Sequence, residues 1–255
     1  MASVRFLAMK NRKSYIKINQ VEALIEYFFQ KEEQVRAGHN KNKAYLLYTL
    51  WRTGRRIGEI VGKPREYIRV PGLRPIDFDP EHKEITFYIL KKNQIRRKTK
   101  GGKPISEEKL RAKLANKPAF TEVIAYDTEF FNTLWDYVKT MELSPYDRIF
   151  PYSDRHVRRL LAEASHDLKL YLGTRQVMYD DGSVESEAIV VHPHSFRHGF
   201  AMHLLEQKKN DPRALPMLQE LLCHYSLNTT KTYLRFNQED RQKALNEVFG
   251  VEDGH

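Results

Sequence analysis

The chain has 255 residues, enough for one large domain or two small ones. Hydrophobic residues make up 41% and charged residues 30%, which favours a folded core over disorder. Lysine and arginine number 43 against 33 aspartate and glutamate; this surplus favours a polyanionic partner, nucleic acid first and an anionic membrane surface second. No apolar run approaches the roughly 20 residues that a membrane-spanning helix needs, and a single cysteine excludes a disulfide within the chain.

The start of the chain and its cysteine content bear on location. Residues 1–13 contain no continuous apolar stretch and lack the layout of a signal peptide. One cysteine fits a reducing compartment. We therefore expect a cytoplasmic protein that is not bound to a membrane.

The first sixty residues predict three helical segments. Asn19 has the pattern of a helix N-cap, and apolar residues at helical spacing predict a helix to about residue 32. A second helix is predicted over residues 41–52 and ends at Gly54, because glycine readily adopts the left-handed backbone that closes a helix. Helical character resumes over residues 55–60.

The middle of the chain predicts strands and two capped helices. β-Branched and aromatic residues predict strands over residues 84–90 and 120–125, and a turn at residues 91–94 follows the first. Asp127 and Ser153 are typical N-caps, and each precedes a helix with one apolar face.

The last third of the chain predicts a β-hairpin and four helices. Two strand-like segments, residues 174–179 and 185–191, flank the turn sequence Asp-Asp-Gly-Ser. The helices are predicted over residues 195–208, 212–223, 229–236 and 238–249, the second with Asp211 as its N-cap.

These elements add up to a mainly α fold with a small antiparallel β-sheet, an α+β class. One domain is expected at residues 19–236. An N-terminal arm at residues 1–18 precedes it, and a C-terminal helix and tail at residues 237–255 follow it.

The densest group of chemically active side chains lies in the last quarter of the chain. His194 and Arg197 are three residues apart at a predicted helix start, so both can project from one face. The positive potential of a helix N-terminus makes that face a possible phosphate site. On this spacing alone, a solvated and charged helix end is the better interpretation.

A metal site is the other interpretation of this histidine-rich segment. His194 and His198 are four residues apart, the spacing at which two imidazoles on a helix can bind zinc. No acidic residue lies between them as in a hydrolytic zinc helix, and no second cysteine offers a structural site. The sequence therefore favours no metal, with His198 and His203 as packing or surface residues.

Three segments, in order, resemble the tyrosine recombinase (phage integrase) family. TGRRIGEI at residues 53–60 is similar to the family's TGLRxSEL-type segment, and HPHSFRHGFAMHLLE at 192–206 to its HxLRHxxAxxLL segment. LLCHYSLNTTKTYLRF at 221–236 is similar to LLGHxSxxTTxxYxH. The resemblance covers residues 19–236 and implies the fold of that family's catalytic domain.

The resemblance also implies a set of catalytic residues. Two guanidiniums hold the non-bridging oxygens of a phosphodiester, a phenol attacks phosphorus, and a lysine on a hairpin protonates the departing sugar oxygen. One histidine handles protons near the nucleophile, and another donates a hydrogen bond to phosphate. The set is Arg56, Lys91, His194, Arg197, His224 and the nucleophile Tyr233, with Glu59 as a supporting carboxylate.

Some of these positions have a structural alternative. Tyr233 is one of 14 tyrosines and, taken alone, fits a packing residue on a helix face. Arg56, next to Arg55, fits surface charge as well as catalysis. Lys92 directly follows Lys91 and competes with it for the role of the catalytic lysine.

A basic segment at residues 96–103 follows the turn predicted at residues 91–94 and predicts contacts with the DNA backbone. Such contacts position a protein but carry no sequence information. The alternative for each residue is a solvated linker. The predicted DNA-binding residues are Lys92, Arg96, Arg97, Lys98, Lys100 and Lys103.

The resemblance implies a site-specific recombinase or integrase of a mobile element. It would cleave and rejoin double-stranded DNA through a 3'-phosphotyrosine, without a cofactor or metal. A homo-tetramer on DNA is implied, with a monomer or weak oligomer when free, in the cytoplasm at the nucleoid. The alternatives are a type IB topoisomerase-like nicking and resealing enzyme, and a non-enzymatic DNA-binding regulator derived from a recombinase.

Family members generally carry an N-terminal DNA-clamping domain, whereas fewer than twenty residues here precede the first predicted helix. We therefore expect weak or partner-dependent DNA binding.

Overall fold

A computed structural model describes most of the chain, and none of the helices in that part is long and apolar enough to cross a membrane. Packing divides the chain into two units, Met1–His203 and Leu204–His255. The residues described are 5–6, 15–31, 39–63, 70–90, 92, 105–115, 119–179, 181, 183–209 and 211–222.

Helix α1 (Ile18–Gln30) confirms the first predicted helix but begins earlier than expected. The N-cap is Lys17, whose backbone N–H donates to the side-chain carbonyl of Gln20 at 3.0 Å. Asn19, the predicted N-cap, lies inside the helix. The prediction was wrong because Gln20 supplies the reciprocal hydrogen bond from the third helical position, which allows a cap with no acceptor side chain of its own.

Helix α2 (His39–Thr53) ends where the sequence predicted. Gly54 has a φ of +59°, the left-handed conformation expected of a residue that closes a helix. Helix α3 (Ile57–Ile60) follows with Arg56 as its N-cap. The predicted helical segment from residue 55 is therefore shorter than expected, and Arg55 and Arg56 form the connection.

A three-stranded antiparallel sheet lies beside these helices in the first unit, in the order β2-β3-β4. Its strands are β2 (Phe78–Asp79), β3 (Glu84–Tyr88) and β4 (Thr121–Ala125), after a short 3-10 turn at Pro75–Asp77. The two predicted strands are confirmed, although the first ends at residue 88 instead of 90.

Two of the next three helices have the N-caps that the sequence predicted. The Asp127 side chain accepts the backbone N–H of Phe130 at 3.0 Å and starts α5 (Thr128–Thr140). Ser153 Oγ accepts the N–H of His156 at 3.1 Å and starts α6 (Asp154–Asp167). Helix α4 (Glu107–Ala115) was not predicted.

The predicted hairpin forms a second three-stranded antiparallel sheet. Strands β5 (Tyr171–Met178) and β6 (Val184–Val190) pair with each other, and β1 (Arg5–Phe6) pairs with the other edge of β5. The mainly α class with small antiparallel sheets is confirmed, with the strands divided between two sheets.

Helix α7 (Pro193–Gln207) begins two residues before the predicted start. Helix α8 (Ala214–Leu221), in the second unit, begins two residues later than predicted. Asp211 is not its N-cap: the Asp211 carboxylate accepts the N–H of Arg213 at 2.9 Å, which places Asp211 in the turn before the helix. The helices predicted at residues 229–236 and 238–249 lie outside the described residues.

Gly199 marks a close approach of α7 to the rest of the first unit. A Cβ at this position would overlap the carbonyl oxygen of Ile16 and lie 2.8 Å from Cζ3 of Trp51. Ile16 is fully buried, so the backbone that such an atom would meet lies in the core.

We expect Gly199→Ala to lower the free energy of unfolding by about 1–3 kcal/mol, because the added methyl group overpacks a buried contact with backbone. The control is Gly58→Ala, where the new Cβ would lie 3.4 Å from Leu90 Cδ2, an ordinary contact. Alanine there should be neutral or stabilising by about 0.5–1 kcal/mol. Urea unfolding measures both, and equal stabilities would contradict the close packing at Gly199.

Candidate active site

One buried hydrogen bond joins two of the predicted motifs. Arg197 Nη1, on α7, donates to the carbonyl oxygen of Gly54 at 2.7 Å, and the Arg197 residue is 1% exposed. Gly54 lies two residues before Arg56 in the turn between α2 and α3. The bond therefore brings the start of α7 to the segment that carries Arg56.

Glu59 holds Arg56 and the end of strand β3 at once. Its carboxylate accepts Arg56 Nη1 at 3.1 Å and the Arg56 backbone N–H at 3.2 Å. It also accepts the backbone N–H of Leu90 at 3.1 Å. The Glu59 side chain has no exposed surface, whereas the Arg56 side chain is 17% exposed. The carboxylate is thus a buried support, and the guanidinium retains surface that a ligand can reach.

The end of β3 leads directly to the two candidate catalytic lysines. Leu90, held by Glu59, is followed by Lys91, which lies outside the described residues. The Lys92 Nζ atom lies 3.6 Å from Glu122 Oε1 and 3.4 Å from the ring centroid of Phe120. Lys92 therefore contacts the β4 side of the sheet.

His194 lies in the first turn of α7, and its ring centroid is 4.3 Å from that of His198. His194 retains solvent access, but partial burial of its ring, followed by the positive charges of His198, Arg197, His192 and Arg56, lowers its pKa to about 4. The imidazole is therefore neutral at pH 7 and has a lone pair that can accept a proton.

His192 extends this electropositive environment toward α6. Burial and then the positive charge of Arg158 lower the pKa of His192 as well. Nearby, Val191 donates its N–H to Ser165 Oγ of α6 at 3.1 Å. The α6 helix thus supports the start of α7 and adds positive charge near it, which suits an anionic ligand.

Comparison with known proteins shows what part of the chain is similar to. The model of the Phage integrase family matches residues 158–240. Tyrosine recombinase XerA of Thermococcus kodakarensis is 42% identical over 86 residues, which are 33% of this chain and 29% of that protein. Tyrosine recombinase XerC of Bacillus subtilis is 30% identical over 102 residues, 36% of this chain and 32% of that protein. The segment at residues 158–240 is thus similar to the phage integrase family.

Solved structures agree on the fold. The crystal structure of XerA recombinase has a TM-score of 0.53 at 15% identity and covers 94% of this chain and 66% of that one. A Tn1549 transposon integrase in complex with a circular intermediate DNA has a TM-score of 0.56 at 16% identity and covers 93% and 67%. The curated relatives above are matched over less than a third of their length.

The structure brings four of the predicted site residues together: Arg56, Glu59, His194 and Arg197. Among the described residues, no group of three or more histidine, cysteine, aspartate or glutamate side chains could hold a metal ion. The predicted residues that lie outside the described residues are Lys91, Arg96, Arg97, Lys98, Lys100, Lys103, His224 and Tyr233.

Sequence reasoning missed two features of the site. Arg55, for which the sequence predicted no role, is fully buried. The signal was available, because the family segment has leucine where this chain has Arg55. The carbonyl oxygen of Gly54 as the acceptor for Arg197 had no such signal, since a backbone atom leaves no trace in the residue type.

We expect the His194 ring to titrate with a midpoint of about 4 in the folded protein, and NMR of the ring protons across pH 3 to 8 measures this value. His82 is an internal control: its hydrogen bond to Asp79 raises its pKa above the ordinary 6.5. Arg56→Gln should raise the His194 pKa, because it removes a positive charge that disfavours the imidazolium.

The lowered pKa of His194 also makes the stability of the fold depend on pH. The unfolded chain takes up a proton on His194 near pH 6.5, whereas the folded protein resists it down to about 4. His194 therefore makes folding less favourable as the pH falls through that window. A midpoint for His194 at or above that of His82 would contradict the electropositive site.

Proposed function

We propose that the protein is a site-specific DNA recombinase or integrase of a mobile element. The observation that supports this most is the convergence of Arg56, His194 and Arg197, through the bond to Gly54, from motifs far apart in the chain. The similarity of this chain to tyrosine recombinases, and of its fold to a transposon integrase in complex with DNA, also supports recombination of DNA.

In the proposed mechanism, the two guanidiniums bind the non-bridging oxygens of one phosphodiester and offset the negative charge that develops in the transition state. Arg56 has exposed surface for this contact. Arg197 is oriented by Gly54 through Nη1. His224, from the third motif, donates a further hydrogen bond to a phosphate oxygen.

The phenol of Tyr233 attacks phosphorus, and its proton passes to a base, for which neutral His194 is suited. The bond between phosphorus and the 5' oxygen breaks, and Lys91 gives a proton to that leaving oxygen. A 3'-phosphotyrosine and a free 5'-hydroxyl result. Attack by a 5'-hydroxyl on the phosphotyrosine reverses each proton transfer and rejoins the strand, so no cofactor or external energy source enters.

Recombination exchanges strands between two duplexes, so we propose a homo-tetramer on DNA that forms from a monomer or weak oligomer. The excess of positive charge supports the DNA-bound state. Such an enzyme would act at the nucleoid in the cytoplasm. The basic residues of the segment at residues 96–103 would contact backbone phosphates on either side of the cleaved bond.

We expect the basic segment at residues 96–103 to contribute measurably to the affinity for DNA. Replacing Arg96, Arg97 and Lys98 with glutamine should weaken binding to any duplex and reduce the slope of log K against log salt by about 2–3. A gel-shift salt series measures both quantities. The matched control replaces Lys109, Arg111 and Lys113, exposed on α4, and removes the same charge. Equal effects of the two triple variants would contradict a specific role for the basic segment.

We expect a covalent protein–DNA adduct when the protein is incubated with a pool of nicked suicide duplexes. Cleavage there releases a short fragment that carries the 5'-hydroxyl, and once this fragment is lost the strand cannot be rejoined. Denaturing gels detect the adduct. Tyr233→Phe should abolish it, since no phenolic oxygen remains to attack phosphorus. The control is Tyr146→Phe, a change at a tyrosine that is 70% exposed, which should leave the adduct yield unchanged.

The outcomes separate the proposal from its alternatives. An adduct that persists in Tyr233→Phe assigns the nucleophile elsewhere. DNA binding without an adduct supports a regulator derived from a recombinase. An adduct with relaxation of supercoiled plasmid, but without recombinant products, supports a topoisomerase-like enzyme.

A further inference from the structure

Arg55 is a buried cation next in sequence to Arg56, one of the two arginines of the proposed phosphate site. The residue is fully buried, and its guanidinium carbon lies 4.6 Å from the ring centroid of Phe87 in strand β3. It occupies the position where the family segment TGLR has leucine. The proposed mechanism gives it no role.

An arginine at this position is a costly choice for packing alone. A guanidinium loses its hydration when it is buried, and an apolar side chain of similar volume in such a place is often neutral or stabilising. Cation–π contact with Phe87 offsets part of that cost. A buried arginine that a leucine could replace suggests a contribution other than stability.

Two contacts hold the end of β3: Arg55 contacts Phe87, and Glu59 binds the backbone of Leu90, three residues further along. Phe87 is 1% exposed and lies under the Arg55 guanidinium. Leu90 donates its N–H to Glu59 at 3.1 Å. These two contacts hold the end of β3 against the segment that carries Arg56.

We propose that Arg55 is a positioning residue that holds the end of β3 in place relative to the arginines of the phosphate site. The proposal rests on the proposed function, in which a lysine that follows β3 protonates the leaving oxygen. A general acid must lie within hydrogen-bond reach of the atom it protonates. A misplacement of about 1 Å can reduce a rate by on the order of 100-fold.

The test compares two leaving groups in single-turnover cleavage. An ordinary duplex has a 5' oxygen that needs a proton when it departs. A duplex with sulfur in that bridging position breaks a phosphorus–sulfur bond, and the thiolate departs without one. A defect in positioning the acid should appear with the first substrate and largely disappear with the second.

We expect R55M to slow cleavage of the ordinary duplex by about 10- to 100-fold. Cleavage of the sulfur duplex should remain within about 3-fold of the unsubstituted protein, and the affinity for both duplexes should not change. R55K retains a cation over Phe87 and should recover part of the rate. A loss of structure alone would slow both substrates together, so an equal defect on the two duplexes would overturn the proposal.

R74M provides the matched control. The Arg74 guanidinium carbon lies 5.3 Å from the ring centroid of Tyr88, the next residue of β3, and its guanidinium is paired with Asp77 at 2.8 Å. This variant removes a second arginine–aromatic contact from the same strand. It should not produce a defect that depends on the leaving group, and the same dependence in R74M would overturn the specific role of Arg55.

The free protein supplies a readout that does not depend on the reaction. Hydrogen exchange at the Leu90 amide should become about tenfold faster in R55M. Exchange at the Phe131 amide of α5, which donates to the carbonyl oxygen of Asp127, should be unchanged. If the unsubstituted protein cleaves no duplex, the proposed function fails, and Leu90 exchange alone decides whether Arg55 positions β3. Unchanged Leu90 exchange in R55M would overturn the positioning role.

Discussion

The hydrogen bond from Arg197 to the carbonyl oxygen of Gly54 is the constraint on which the candidate site depends. It joins residues 143 apart in sequence, and the Arg197 side chain is almost fully buried. A buried guanidinium deprived of its acceptor is expensive, so the bond strongly disfavours separation of α7 from the α2–α3 turn. Since His194 is one helical turn before Arg197, the same bond sets the distance from that imidazole to Arg56.

The electrostatics follow from this placement. Burial of the His194 ring is the main cause that lowers its pKa to about 4, and the guanidiniums that suit a phosphate add to this effect. The site is therefore prepared with a neutral imidazole before any ligand binds. A bound phosphodiester brings negative charge between the same groups, which must raise the pKa of His194. In the proposed mechanism, binding of the anion would thus strengthen His194 as the base that takes the proton of the phenol.

The features that the sequence predicted are those with local causes. Asp127 and Ser153 accept backbone N–H groups three residues away, so each cap is encoded within a single turn. The hairpin and the left-handed Gly54 are equally local. The burial of Arg55 was not predicted, because it depends on Phe87, 32 positions further along, and residue type favours an exposed arginine. The bond from Arg197 to Gly54 joins a side chain to a backbone atom across the fold, and no pattern of residue types records it.

The segment from Arg55 to Glu59 combines several of these constraints in five residues. Arg55 faces the interior and contacts Phe87, Arg56 keeps exposed surface, and the buried Glu59 carboxylate accepts both Arg56 and Leu90. Because the backbone from 55 to 59 is a single short N-cap and helix start, these side chains cannot move independently. In the proposed mechanism, a shift of Arg56 toward a phosphate would also shift the support of β3. The same short segment would then link phosphate binding to the position of the end of β3.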